Sequence, residues 1–142
     1  MYGGGGSDWL YGDEGVDHLI GEGGNDHLYG GEDGDHLHAD GWGGTNFLYG
    51  EAGEDDLYGG YNTDYLYGGD NDDHLYGNYG NDRLYGGEGN DLLYGGDGTD
   101  YLYGQAGDDD DCDGGVDEDP DYCGTGSPYY CETPLVSCST GG

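Results

Sequence analysis

The sequence predicts an all-β fold: a solenoid of short parallel strands, followed by a small cysteine-rich C-terminal extension. Three observations point there. The first is a nine-residue period. From Gly59 to Tyr103 the chain reads GGYNTDYLY, GGDNDDHLY, GNYGNDRLY, GGEGNDLLY and GGDGTDYLY. The second is the apolar pattern, with a leucine at the eighth place of each of these units. The third is composition: 37 glycines in 142 residues, and 33 acidic residues against one basic residue, Arg83. A fixed period of this kind marks a repeat architecture, in which each unit buries its apolar face only by stacking on neighbours. Glycine recurs at nine rather than three, which excludes a collagen triple helix.

Units start at Gly3, Gly12, Gly21, Gly30, Ala39, Gly50, Gly59, Gly68, Gly77, Gly86, Gly95 and Gly104. Their eighth places are Leu10, Leu19, Leu28, Leu37, Leu48, Leu57, Leu66, Leu75, Leu84, Leu93 and Leu102. The register is expected to fail at Asp111, where a carboxylate takes the leucine place. Met1 and Tyr2 fit the end of an earlier, truncated unit, so the chain is expected to begin in mid-repeat without a cap. The fifth unit, Ala39 to Tyr49, is enlarged; it holds Trp42, and Asn46 replaces its aspartate. It reads as a bulged turn with a weakened metal site.

Within a unit, glycines at places one, two and four permit positive φ and a tight turn. Asp33, Asn62 and Asn71 replace the fourth-place glycine, and Asp and Asn are the side chains that best tolerate the left-handed region. A short strand of three residues follows. Neighbours in a strand point to opposite faces, so leucine points inward and places seven and nine point outward.

Charge narrows the partner. A net charge of -32 calls for disorder or a partner of opposite sign. Nucleic acid is excluded, because no basic patch exists to neutralise phosphates. No apolar run is long enough to cross a membrane, and no signal peptide is visible. The sixth places carry Asp8, Asp17, Asp26, Asp35, Asp55, Asp64, Asp73, Asp82, Asp91, Asp100 and Asp109. Calcium takes six to eight hard oxygens in forgiving geometry. Stacked glycine turns offer backbone carbonyls, and each turn adds an aspartate. Without a cation those aspartates would repel one another along the stack.

The nonapeptide G-G-x-G-x-D-x-U-x resembles the RTX (repeats-in-toxin) calcium-binding family through most of the chain. The resemblance implies a parallel β-roll in which two units make one coil of ~18 residues. About six such coils, one strand spacing apart, give a rod on the order of 30 Å long. It also implies that each ion sits between the turns of units n and n+2, for about eight to ten Ca²⁺ in all. Odd and even units then lie on opposite faces. The odd face presents Trp9, Tyr11, Tyr29, Phe47, Tyr49, Tyr65, Tyr67, Tyr85, Tyr101 and Tyr103, with His27 and Arg83. The even face mixes His18, His36, His38 and His74 with tyrosines and acids. An aromatic array of this size marks a contact surface.

All four cysteines, Cys112, Cys123, Cys131 and Cys138, fall near the end. Their even count reads as two disulfides in an oxidising compartment, with the pairing open. The run Asp109, Asp111, Asp113, Gly114, with Asp117 beyond, has the spacing of the front half of an EF-hand-type calcium loop. With the cysteines it is similar to thrombospondin type 3 calcium repeats, although Pro120 stands where an EF-hand has its glutamate. The chain accordingly divides into a roll over residues 1–112 and a tail, cap or latch over 113–142.

Function follows as an expectation. A convex rod encloses no pocket, so catalysis is not expected. The histidines read as a solvated strand face rather than a transition-metal site. The leading reading is a secreted or cell-surface structural protein, its copies joined head to tail in an extracellular fibril. The alternatives are a calcium-dependent module of a secreted toxin, protease or adhesin, and a carbohydrate-binding roll using its aromatic face. Ser7, Thr45, Thr63 and Thr99 are candidate carriers of covalent O-glycans.

Overall fold

The computed structural model describes residues 1–106, 110–115 and 122–124. The described strands are β1 (Tyr2–Gly5), β2 (Trp9–Glu14), β3 (His18–Gly23), β4 (His27–Glu32), β5 (His36–Asp40), β6 (Phe47–Ala52) and β7 (Asp56–Tyr61). They continue as β8 (Tyr65–Asp70), β9 (His74–Tyr79), β10 (Arg83–Glu88), β11 (Leu92–Asp97), β12 (Tyr101–Ala106), β13 (Asp111–Asp113) and β14 (Tyr122–Gly124). Odd-numbered strands form one sheet, in the order β1-β3-β5-β7-β9-β11-β13. Even-numbered strands form the other, from β2 to β14. Every pairing is parallel and joins strands two apart. The chain therefore crosses from one sheet to the other at each turn, and two units make one coil of an all-β roll.

Leucine supplies the core. From Leu19 to Leu102 the eighth-place leucines are fully buried, and Leu10 nearly so. They stack in register down each sheet, as Leu28↔Leu48 and Leu57↔Leu75 show. Full burial of one leucine contributes about 1.5–3 kcal/mol. A core this narrow lets each coil lean only on the coils beside it.

The strands are longer than the three residues expected. Pairing runs through places seven, eight and nine, skips place one, and resumes at places two and three, as in Tyr11↔Tyr29 followed by Asp13↔Gly31. The corner is made at place two, where Gly31 has φ 121° and Glu22 has φ 68°. Place four makes the next corner, with Gly24 at φ 135° and Asn71 at φ 82°. First-place glycines are absent from the positive-φ set. Space, rather than φ, requires glycine there. A Cβ on Gly68 would lie 2.3 Å from Asp73 Oδ2 and 2.6 Å from the Gly86 carbonyl oxygen.

The register does not fail at Asp111. The twelfth unit gains one residue, so Asp111 pairs with Leu92 and Cys112 pairs with Leu93. Cys112 is buried at the leucine place and Asp111 is exposed. Cys123 likewise stands in register with Leu102, so the pairing runs past residue 112. The fifth unit takes its extra residues in the turn between β5 and β6, and its leucine keeps register with Leu28 and Leu66.

Replacing Leu66 by Ala should lower stability by about 2–5 kcal/mol, because the slot cannot collapse between fixed coils. Thermal unfolding in saturating calcium measures this; a loss below 1 kcal/mol would contradict so strict a stack.

Candidate calcium-binding edges

At each edge of the roll the sixth-place side chains form a ladder. The Asp26 Oδ1 accepts the Asp8 N–H at 2.9 Å, and Asp35 Oδ1 accepts the Asp17 N–H at 2.7 Å. The pattern repeats with Asp55 on Asp35, Asp73 on Asp55, Asp82 on Asp64, Asp91 on Asp73 and Asp100 on Asp82. One edge carries Asp8, Asp26, Asn46, Asp64, Asp82 and Asp100. The other carries Asp17, Asp35, Asp55, Asp73, Asp91 and Asp110.

Only half of each carboxylate is satisfied this way. In Asp26, Asp35, Asp55, Asp64, Asp73, Asp82 and Asp91 the second oxygen, Oδ2, is buried with no hydrogen-bond partner. A buried anionic oxygen left alone is costly. Burial pushes Asp64 and Asp73 up to about 8, Asp82 to about 7, and Asp55 and Asp91 to about 6. In each case backbone N–H donation pulls the other way and is outweighed; neighbouring carboxylates add to the rise. These positions call for a proton or a cation.

The donors fit calcium. Each Oδ2 lies over the first-place glycine of its own unit, beside the first-place carbonyl one coil on; Gly50, Gly68 and Gly77 show the same arrangement. These are hard, anionic and carbonyl oxygens, the ligand class that calcium takes. Among the described residues no three His, Cys, Asp or Glu side chains converge on one point. An ion on these edges would take backbone carbonyls as ligands, with the sixth-place aspartates completing its shell. When bound it supplies the positive charge that keeps the enclosed carboxylates ionised.

The exception supports the rule. Ala39 is the one unit opening, Gly3 to Gly104, that is not glycine, and its unit is the one with Asn46 at the sixth place. A methyl group and an amide replace the open space and the second carboxylate oxygen together. Asn46 still completes the ladder. Its Oδ1 accepts the Asp26 N–H at 2.9 Å, while its N–H and Nδ2 both donate to Asp64 Oδ1 at 2.9 Å. The sequence alone marks Asn46 as a weakened site but does not reveal that its amide donates to the next carboxylate.

The tail residues fall differently from expectation. Asp110, not Asp109, occupies the sixth place of the twelfth unit: it is buried, and its Oδ1 accepts the Asp91 N–H at 3.1 Å. Asp109, Asp117, Cys131 and Cys138 lie outside the described residues. Asp111 and Asp113 lie on strand β13 rather than in an EF-hand-like loop, and Asp113 Oδ1 accepts the Gly115 N–H at 3.0 Å. The inserted residue sets the twelfth unit one place beyond the nine-residue count.

The outer faces also resolve. On the even-strand sheet Tyr11, Tyr29, Tyr49, Tyr67, Tyr85 and Tyr103 form one continuous stack, with neighbouring ring centroids 4.8–5.0 Å apart. Beside it run Trp9, His27, Phe47 and Tyr65, then Arg83, Tyr101 and Tyr122. The Arg83 guanidinium fills one rung, 5.2 Å from the rings of both Tyr65 and Tyr101. Each interior ring of these stacks spends both faces on its neighbours. On the opposite sheet the Asp56 carboxylate accepts from His36 Nδ1 at 2.9 Å and His74 Nδ1 at 3.0 Å.

Fold and site together define a calcium-binding repeat solenoid. The family model for the RTX calcium-binding nonapeptide repeat (4 copies) matches residues 2–37, 40–75 and 76–111. The chain belongs to that family, and its repeats are a structural calcium-binding domain rather than a catalytic one. Comparison with curated proteins and with solved structures gives no match. Among the described residues no helix is long and apolar enough to cross a membrane.

Two outcomes are expected. The pair Ala39→Gly and Asn46→Asp should raise the number of bound calcium ions, counted by isothermal titration; an unchanged count would mean that this rung is not limited by its donors. The second concerns pH. These carboxylates have folded pKa values above the unfolded value of about 3.9, so the stability they lend the ion-free roll is full below that value and lost as pH rises through about 6 to 8. In chelator, circular dichroism should show β structure increasing from pH 8 to pH 5. In calcium the sign reverses, since protons compete with the ion, and the calcium midpoint should fall as pH rises.

Proposed function

We propose that the chain is a calcium-folded roll of a secreted protein and that its copies assemble head to tail into an extracellular fibril. The observation that carries the calcium part is the row of buried, unpartnered Oδ2 atoms along both edges. Binding energy becomes folding energy when the ion-free site is repulsive. The ladders have room for about eight to ten ions, the lower number if Asn46 removes the two gaps it borders. RTX repeats are typical of secreted proteins, and millimolar external calcium suits sites of this class.

The assembly part rests on the ends of the stack. Among the described strands β1 and β2 form one edge of each sheet and β13 and β14 the other. Parallel edges of the same pitch are complementary, and one repeated head-to-tail contact produces a filament when it does not close. The first coil also exposes Tyr2 at 72%, Val16 at 67% and Trp9 at 60%. Among the described residues Trp9 and Tyr122 are the end rings of one aromatic column, so a joint at these edges would continue the stack. The stacks favour this reading over sugar binding on the same face, because sugar stacking needs a free ring face.

The test is electron microscopy of the protein in calcium beside a chelated sample, with circular dichroism on both. Calcium-dependent filaments are expected. Dispersed short rods in calcium would overturn the fibril and leave a monomeric calcium-dependent module of a larger secreted effector. β structure persisting in chelator at pH 8 would overturn calcium-driven folding itself.

A further inference from the structure

The enlarged fifth turn builds a feature that the calcium edges do not use. Trp42 is 84% exposed, the largest value for any bulky apolar residue described. It heads a further aromatic column, stacked 4.6 Å from Tyr61, which in turn lies 5.1 Å from Tyr79. One face of the indole is covered by Tyr61. On its other side lies an open groove of ≈ 570 Å³, lined by Tyr2, Ile20, Glu22, Gly23, Asp40 and Trp42 among others. The groove exists because glycine stands at position 23. A Cβ there would meet nothing within 4 Å, and no side chain covers the Trp42 face from that coil.

Two carboxylates border the slot. Glu22 and Asp40 are in-register partners on adjacent strands. Asp40 Oδ1 lies 3.8 Å from His38 Nδ1, and Glu22 has no ion pair among the described residues. An open indole face beside paired carboxylates, on a chain of net charge -32, selects a cation. The column's geometry narrows the choice further. The vacant rung accepts a flat group lying parallel to the indole. The molecule already contains such an arrangement, because Arg83 occupies a rung of another column between two tyrosine rings. A guanidinium is planar and stacks on aromatic faces, whereas an ammonium is a compact, strongly hydrated point charge.

We propose that this groove is a recognition slot for an arginine side chain presented by a different polypeptide. The guanidinium stacks on Trp42 over Gly23 and donates hydrogen bonds to Glu22 and Asp40. A second copy of this chain cannot supply it, because Arg83 is its one basic residue and is held between Tyr65 and Tyr101. The slot borders the assembly edge through Tyr2, but its ligand comes from another polypeptide, so arginine binding without filaments, or filaments without arginine binding, bears on one proposal alone.

The test uses the full chain in saturating calcium with Trp9→Phe, which leaves Trp42 as the sole tryptophan. Its fluorescence is titrated with three capped tripeptides, Gly-Arg-Gly and its lysine and citrulline counterparts. The arginine peptide should change the emission saturably, and citrulline should bind roughly tenfold more weakly or not at all, the loss expected when a desolvated cation–π contact is removed. Lysine should fall between them. Gly23→Tyr fills the rung and should abolish the response, with circular dichroism and the calcium midpoint unchanged. Glu22→Gln with Asp40→Asn, two surface changes that leave the core alone, should weaken arginine binding severalfold. Equal responses to arginine and lysine, an undiminished response to citrulline, or an undiminished response in either the Gly23→Tyr or the double variant would overturn the proposal.

Discussion

A carboxylate enclosed in protein needs either a proton or a cation. This roll encloses one in each unit from Asp26 to Asp110 except that of Asn46, and the rest of its design follows from that. One oxygen of each is tied to a backbone N–H of the preceding coil, which fixes the spacing between coils. The other has no hydrogen-bond partner at seven sixth-place aspartates, from Asp26 to Asp91. Burial holds several of these groups in the range of about 6 to 8. They are poised where a divalent ion displaces protons near neutral pH.

The leucine column and the carboxylate ladders do different work. One buried leucine per unit, flanked by two outward residues of mixed character, gives a core only one side chain thick. Such a core orders a coil only when the coils on either side are already in place. The ladders couple adjacent coils directly, through bonds such as Asp55 to Asp73 at 2.9 Å. The aromatic stacks add a third coupling on the outside, with each in-register ring pair contributing about 0.5–1.5 kcal/mol. All three repeat at the strand spacing, so they reinforce one another and a local fault in one is carried by the others. The fifth unit shows this: it has an enlarged turn, Ala39 and Asn46, yet Leu48 and Tyr49 remain in register on both sides.

That same irregular unit is where the surface departs from uniformity. The extra turn residues push Trp42 outward, and the glycine of the preceding coil leaves its face open. Interruptions are therefore the places where a solenoid of near-identical coils acquires a distinct site.

The sequence by itself determined the all-β class, the nine-residue unit, the inward leucines, the sixth-place aspartates and the odd and even faces. Each is written at a fixed spacing, and strand geometry turns spacing into direction. Three matters waited for the tertiary structure. The first is the reason for the opening glycine. It looked like a demand for positive φ, and it is a demand for space, set by a carboxylate oxygen and a carbonyl from the next coil. The second is the twelfth unit. An extra residue is invisible in a run of consecutive aspartates, and only pairing with Leu92 and Leu93 assigned Asp110 to the ladder and Cys112 to the core. The third is the orientation of the aromatic rings. The list of outward residues gave a face, whereas parallel stacking at one strand spacing decided that the rings cover one another and that Trp42 retains a free side. Contacts between coils lie 17 or more residues apart, and a pattern read along the chain carries no record of what fills the space between them.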